Sequence, residues 1–173
     1  MAVAARWIRL EANAAVALRA VYAAFAQAQP SRAMPAVLWA RAVEGGFRFA
    51  LVVPLRLAPG RAVRWRSWAL APLIATYRGF GLRAYLDGDC VCLSGRRIAH
   101  SEATAVGCCA VIDSGFLPRL PEARVDWTER NLVDAFRARI EAQHGWQFDS
   151  SWPSVAEQAA IADALTGEEV GAK

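Results

Sequence analysis

The chain has 173 residues, a hydrophobic fraction of 55%, a charged fraction of 21% and a formal net charge of +4. That is a globular composition, long enough to bury one core and read as a single domain over 1–173, and it excludes a disordered chain. The mild, dispersed charge leaves no nucleic-acid footprint, and charges or turn residues break each apolar run before it reaches membrane-spanning length.

Met1 to Leu10 carries Arg6 and Arg9 and lacks the apolar run and cleavage site of a signal peptide, so the expected location is cytoplasmic. These ten residues, like 166–173, read as flexible ends. Glu11 to Gln29 is rich in alanine, with Val16, Leu18, Val21, Tyr22 and Phe25 as the larger apolar residues; it predicts a helix closed by Pro30. Pro35 to Ala42 predicts a short strand, Gly45-Gly46 a turn, and Phe47 to Leu57 a second strand with one strongly apolar face. Ala62 to Phe80 has apolar residues near helical spacing, with Pro72 inside as a potential kink and Gly79 and Gly81 as the stop. Short strands follow at Arg83 to Leu86, Cys90 to Leu93 and Arg97 to Thr104, separated by the turn pairs Asp87-Gly88 and Ser94-Gly95. Val106 to Phe116 is a further strand. Asp126 to His144 is an amphipathic helix with Leu132, Val133, Phe136 and Ile140 as its stripe and Gly145 as its cap. Trp146 to Phe148 is extended. Pro153 to Leu165 is a last helix, opened by Ser151 or Trp152. The order predicts an α+β fold, a mainly antiparallel sheet packed by helices.

Reactive residue types are few. Of the 20 basic residues all but Lys173 are arginine, so no lysine amine is available within the predicted elements. Cys90 and Cys92, and Cys108 and Cys109, are spaced C-x-C and C-C, which does not match the spacing of a metal site. They read as buried thiols in apolar surroundings, and no metal is expected. A nucleophilic Cys108 or Cys109, which would form a thioester, needs a base or cation beside it, and Val106, Ala110 and Val111 supply neither. His100 has no carboxylate at a fixed spacing and reads as a hydrogen-bonded residue of the sheet; His144, at a helix C-terminus, reads as a charge that suits the helix dipole. The seven tryptophans are scattered over strands and helices and read as core anchors.

One stretch carries more information. The run Gly81-Leu-Arg-Ala-Tyr-Leu-Asp-Gly-Asp89-Cys-Val-Cys-Leu-Ser-Gly95-Arg-Arg-Ile-Ala-His-Ser resembles the core hairpin of the lipoate and biotin protein ligases, where the second strand reads Gly-Arg-Lys-Ile-Ala-Gly. The segment Glu102 to Leu117 resembles that family's next strand pair, and the helix ending His144-Gly145 resembles its next helix. The resemblance covers about the last two-thirds of the chain. Arg41-Ala-Val-Glu44-Gly-Gly46 is a weak echo of a second family motif, a basic pair followed by three glycines, and the N-terminal part looks shortened.

The resemblance implies transfer of a lipoyl, octanoyl or biotinyl group to a lysine of a lipoyl or biotinyl carrier domain, with ATP and magnesium if the protein adenylates its acid. It implies a cation at the reacting carboxyl and phosphate, and that position holds Arg97 in place of lysine. Gly95, Ile98 and Ala99 would shape the hairpin against the ligand, and Gly45 and Gly46 would be further ligand-binding residues, cradling a phosphate. His100 stands where the family has glycine, so its ring would adjoin the ligand chain. A non-catalytic protein of the same fold, binding a carrier or a small ligand, is the alternative reading, and an assembly partner using the sheet surface is a third.

Overall fold

The computed structural model describes residues 2–10, 18–30, 32–41, 46–116 and 129–171. Its elements in chain order are β1 (Val3–Arg9), α1 (Leu18–Gln27), β2 (Ala36–Arg41), β3 (Phe47–Pro54), α2 (Trp65–Gly79, preceded by a short 3-10 turn over Ala62–Arg64), β4 (Ala84–Asp87), β5 (Cys90–Leu93), β6 (Arg96–His100), β7 (Glu102–Val106), β8 (Cys109–Phe116), α3 (Glu129–His144), β9 (Trp146–Ser150) and α4 (Val155–Gly171). Six strands form one sheet in the order β7-β8-β3-β2-β1-β9, and β4-β5-β6 form a second, smaller sheet. Among the described residues only the pairings of β1, with β2 and with β9, are parallel; the other pairings are antiparallel. The predicted α+β class, with a mainly antiparallel sheet packed by helices, is the observed one. No helix among the described residues is long and apolar enough to cross a membrane.

The large sheet is covered on both faces, and strand alternation decides what each face buries. Ile8, Leu38, Ala50, Val52, Cys109 and Val111 face α1 and α4, meeting Val21, Tyr22 and Phe25, with Ile161 and Leu165 at the margin. Trp7, Val37, Phe49, Leu51, Ala110 and Ile112 face the other way, against Leu70, Leu73 and Tyr77 of α2, Leu132, Phe136 and Ile140 of α3, and Val91 and Leu93 of the small sheet. Phe136 meets Phe49 edge to face at 4.9 Å between ring centroids. Truncating such a fully buried ring costs about 3–5 kcal/mol.

Several expectations are corrected. The expected loose end over residues 1–10 is instead, over Val3–Arg9, an inner strand with β2 on one side and β9 on the other. The single strand expected over Arg97 to Thr104 is broken at Ser101, whose backbone N–H and hydroxyl both donate to the carbonyl of Asp89, each at 2.7 Å. That pair of bonds turns the chain out of the small sheet and into the large one. The first seven residues of the helix expected over Glu11 to Gln29, and the start of that expected from Asp126, lie outside the described residues. α2 runs through Pro72, and the hydroxyl of Thr76 donates to the Pro72 carbonyl at 2.8 Å.

α4 extends beyond Leu165 to Gly171 and is opened by Ser154, not by Ser151 or Trp152. Ser154 and Glu157 form a capping box: the Glu157 N–H donates to Ser154 Oγ at 3.3 Å, and the Ser154 N–H donates to Glu157 Oε2 at 2.6 Å. Glu157 also receives two bonds from Arg6 of β1, at 2.6 and 2.9 Å, and one from Gln29 at 2.7 Å. This bidentate pair ties the last helix to the inner strand of the sheet.

Candidate functional site

The β5–β6 hairpin closes through Ser94 and Gly95, which lie between the paired residues Leu93 and Arg96 and have φ of 48° and 88°. Two left-handed residues in a two-residue turn match the twist of the flanking strands, and glycine takes this conformation freely. The register then shifts between Val91 and Cys92, so that Val91 pairs with Ala99 and Cys92 with Arg97. Ile98 is the extra residue of this bulge. Ile98 and Ala99, though adjacent in sequence, therefore both pack on the core, while Arg96 and Arg97 are both exposed.

The hairpin strand β6 lies beside one end of the large sheet. A Cβ on Gly115 would sit 3.0 Å from the Phe47 carbonyl oxygen, 3.2 Å from Arg48 Cδ and 3.8 Å from Ala99 Cβ. Gly115 pairs with Arg48, and Phe116 with Phe47, directly after Gly46. Ala99 and Gly46 are thus brought to the same sheet end, although they lie at positions 99 and 46 of the sequence. Gly46 is buried with φ 127°; Gly45 lies outside the described residues. On the opposite face of the sheet from the Gly115 contact, Trp39, Phe49 and Ser114 form one cross-strand row over β2, β3 and β8. Trp39 Nε1 and Ser114 Oγ are buried and have no hydrogen-bond partner among the described residues. A buried polar atom without a partner is costly, and two in one row suit a polar ligand group. Gly115, Trp39 and Ser114 were not legible as site residues, since each lies in a strand of ordinary core composition.

The charged residues sit at the rim. The Arg97 side chain is 72% exposed and its Nη2 stands 3.6 Å from Asp87 Oδ2. His100 is flanked by two carboxylates, with Nδ1 3.3 Å from Asp89 and Nε2 3.7 Å from Glu102, and its side chain is 54% exposed. The partner that its sequence spacing did not reveal is therefore supplied twice, by the turn before β5 and by the first residue of β7. Asp113 is buried on the α1 face; burial raises its pKa, opposed by the Glu102 N–H that donates to it at 3.0 Å. It lines a cavity of about 50 Å³ with Tyr22, Arg19 and Glu102, with room for little more than water.

His144 does not serve as a charged cap. It stacks on Trp68 at 4.2 Å and meets Trp146 at 5.0 Å, and burial pushes its pKa down to about 4, so it is neutral at pH 7. Cys92 and Cys109 are buried, as expected of core thiols, and burial together with the adjacent Cys108 pushes Cys109 up to about 12. That opposes a thioester role. Cys90 and Cys108 depart from the pattern: both are half-buried, Cys90 Sγ donating to Asp89 Oδ1 at 3.3 Å and Cys108 Sγ to the Gln29 carbonyl at 3.4 Å.

No protein-family model matches the sequence, and no curated protein matches it. Solved structures do match. A bi-partite lipoate protein ligase of Thermoplasma acidophilum, described with its E2 lipoyl domain, superposes with a TM-score of 0.79 at 10% identity over 95% of this chain and 92% of that one. Lipoate-protein ligase A bound with ATP gives 0.76 at 10% identity over 94% of both chains. The apo biotin protein ligase of Aquifex aeolicus gives 0.55 at 11% identity over 82% of this chain and 68% of that one. This chain has the lipoate- and biotin-protein-ligase fold.

Proposed function

We propose that the chain transfers a lipoyl, octanoyl or biotinyl group to a lysine of a carrier domain. The observation that carries this reading is the meeting of β6, through Ala99 at Gly115, with the strand that follows Gly46 at one sheet end. A carboxylic acid would lie with its chain over the apolar face and its carboxyl at the rim. Arg97 would be the cation facing the carboxyl and phosphate, after leaving Asp87. That exchange is cheap, because an exposed ion pair is worth about 0–1 kcal/mol. Ile98 and Ala99 hold the strand down, Gly95 closes its turn, and Gly46 and His100 would border the ligand.

In an adenylating reaction the acid's carboxylate attacks the α-phosphate of ATP and pyrophosphate leaves. The carrier's lysine amine then attacks the acyl carbon and AMP leaves. Arg97 and Arg48 supply positive charge near that end, which suits the phosphate of an acyl-adenylate. Magnesium would arrive on the nucleotide's phosphates with most of its waters. An open groove of about 660 Å³ between α2, α3 and β4, bearing Arg78 and Arg139, is a docking place for an acidic carrier.

A second reading has one observation in its favour. Arg97 is paired with Asp87 and turned to solvent, as it would be in a protein of this fold that binds a carrier or acyl ligand without chemistry. Incubation with ATP, lipoate and a lipoyl domain, read by intact mass, separates the two. Mass gain on the domain supports transfer. Acyl-adenylate binding by calorimetry without mass gain supports the non-catalytic protein. Absence of both ends the proposal.

A further inference from the structure

Three ligand-bearing side chains converge on the exposed side of the small sheet, and neither reading above uses them together. Asp89, Cys90 and His100 each offer one ligand atom, and these atoms lie within 4.8 Å of one another. Asp89 Oδ1 is 3.3 Å from Cys90 Sγ, and Asp89 Oδ2 is 3.3 Å from His100 Nδ1. We propose that this trio is a binding site for a borderline divalent cation, with zinc as the best match.

The convergence is built by the fold. Cys90 and His100 are direct cross-strand partners, so their side chains share one side of the small sheet. Asp89 would point away from Cys90 in a regular strand, but it stands in the turn after Gly88, whose φ is 60°. That turn is pinned from outside by the two Ser101 bonds to the Asp89 carbonyl. Ligands from a turn and from two paired strands are therefore held by backbone hydrogen bonds before any ion arrives.

Distances and chemistry select the ion. Bonds to zinc of about 2.0–2.3 Å give ligand-to-ligand edges of about 3.4–3.6 Å in a tetrahedron. The two Asp89 separations, one to each carboxylate oxygen, are near that edge, and closing the triangle from within 4.8 Å asks for rotation of the part-exposed Asp89 and His100 side chains. A thiolate with an imidazole favours zinc or cobalt, whereas magnesium and calcium prefer shells of oxygen. Asp89 and the thiolate together balance two positive charges, and the thiol proton leaves to solvent on ligation. With Nδ1 on the metal, His100 Nε2 faces Glu102 Oε1 at 3.7 Å, the carboxylate partner that orients a metal-bound histidine. The same Glu102 oxygen is held by Arg19 at 2.8 Å. Three protein ligands leave a fourth position for water, open to solvent.

The site is tested on the full chain with the metal alone, without acyl substrate or carrier, so its failure is distinct from failure of the proposed transfer. Titration with Co²⁺ is expected to give tetrahedral visible absorption and a thiolate-to-cobalt charge-transfer band, both saturating at one equivalent and bleached by Zn²⁺. Cys90→Ser and His100→Gln should each weaken binding at least about 100-fold, and Glu102→Gln about 10-fold. Cys108→Ser should leave the spectrum unchanged. Circular dichroism of each variant confirms that it is folded; His100→Gln, at an exposed position, gives the same reading if Cys90→Ser is not. Octahedral spectra, more than one equivalent of equal affinity, or a charge-transfer band that survives Cys90→Ser or His100→Gln overturns the assignment.

Discussion

Replacing Glu157 by glutamine isolates the contact that joins the last helix to the inner strand. Burial by itself would raise the pKa of this carboxyl. The hydrogen bonds from Arg6, then Gln29 and the Ser154 N–H, outweigh it and hold the pKa at about 2, against an ordinary 4.5. A folded-state pKa below the unfolded one stabilises the fold above the unfolded value, and that stability drains away as pH falls towards the folded value. At about 1.4 kcal/mol per tenfold, the full difference is about 3 kcal/mol at pH 7, of which about 2 kcal/mol is gone by pH 3. Both side chains of the pair are largely buried, so solvent screening removes little of this. Urea unfolding of the wild-type chain and of Glu157→Gln from pH 7 to pH 3 reads it out. The variant should be less stable by about 3 kcal/mol at pH 7, close to what breaking a buried pair costs. The gap should shrink to about 1 kcal/mol at pH 3. Parallel stability curves would refute the assignment, because every other titrating group is common to both proteins. An Arg6→Met, Glu157→Gln double variant closes the cycle and should recover part of the loss at pH 7.

Three further outcomes follow from particular contacts. Arg97→Ala should lower unfolding stability by less than about 1 kcal/mol, since its ion pair with Asp87 is long and exposed, yet it should abolish acyl transfer if Arg97 is the cation of the reaction. Gly115→Ala puts a methyl group 3.0 Å from the Phe47 carbonyl oxygen, and should cost about 1–3 kcal/mol in denaturant while weakening acyl-ligand binding more than Arg97→Ala does. The His144 ring should remain neutral down to about pH 4 when followed by NMR, with a shift sensed by stacked Trp68; protonation near 6.5 would contradict its burial.

Most elements can be read from local pattern because their cause is local. The alternation of Phe47, Phe49 and Leu51 marks β3, and the spacing of Leu132, Phe136 and Ile140 marks α3. β1 cannot be read this way. Val3-Ala4-Ala5-Arg6-Trp7-Ile8 has short side chains and an arginine where an inner strand should be apolar, and that arginine is acceptable only because Glu157 meets it from 151 positions away. The break at Ser101 is equally hidden, since it depends on a carbonyl twelve residues earlier. At the site, the Ser94-Gly95 turn and the Arg97 position are legible from the motif. The bulge that places Ile98 and Ala99 together on the core is not, and this bulge leaves both arginines at the surface. The company of His100 escapes a reading by spacing because its two carboxylates come from a turn and from the next strand.

The central claim is that an activated acid seats at the sheet end where Ala99, Gly115 and the Gly46 turn meet. It is tested most directly by calorimetric titration of the full chain with a non-hydrolysable lipoyl-adenylate analogue, beside Gly115→Ala and Arg97→Ala. The account predicts one site per chain, weakened in both variants, most of all in Gly115→Ala. Absence of binding to the wild-type chain, or equal affinity in all three proteins, would contradict it.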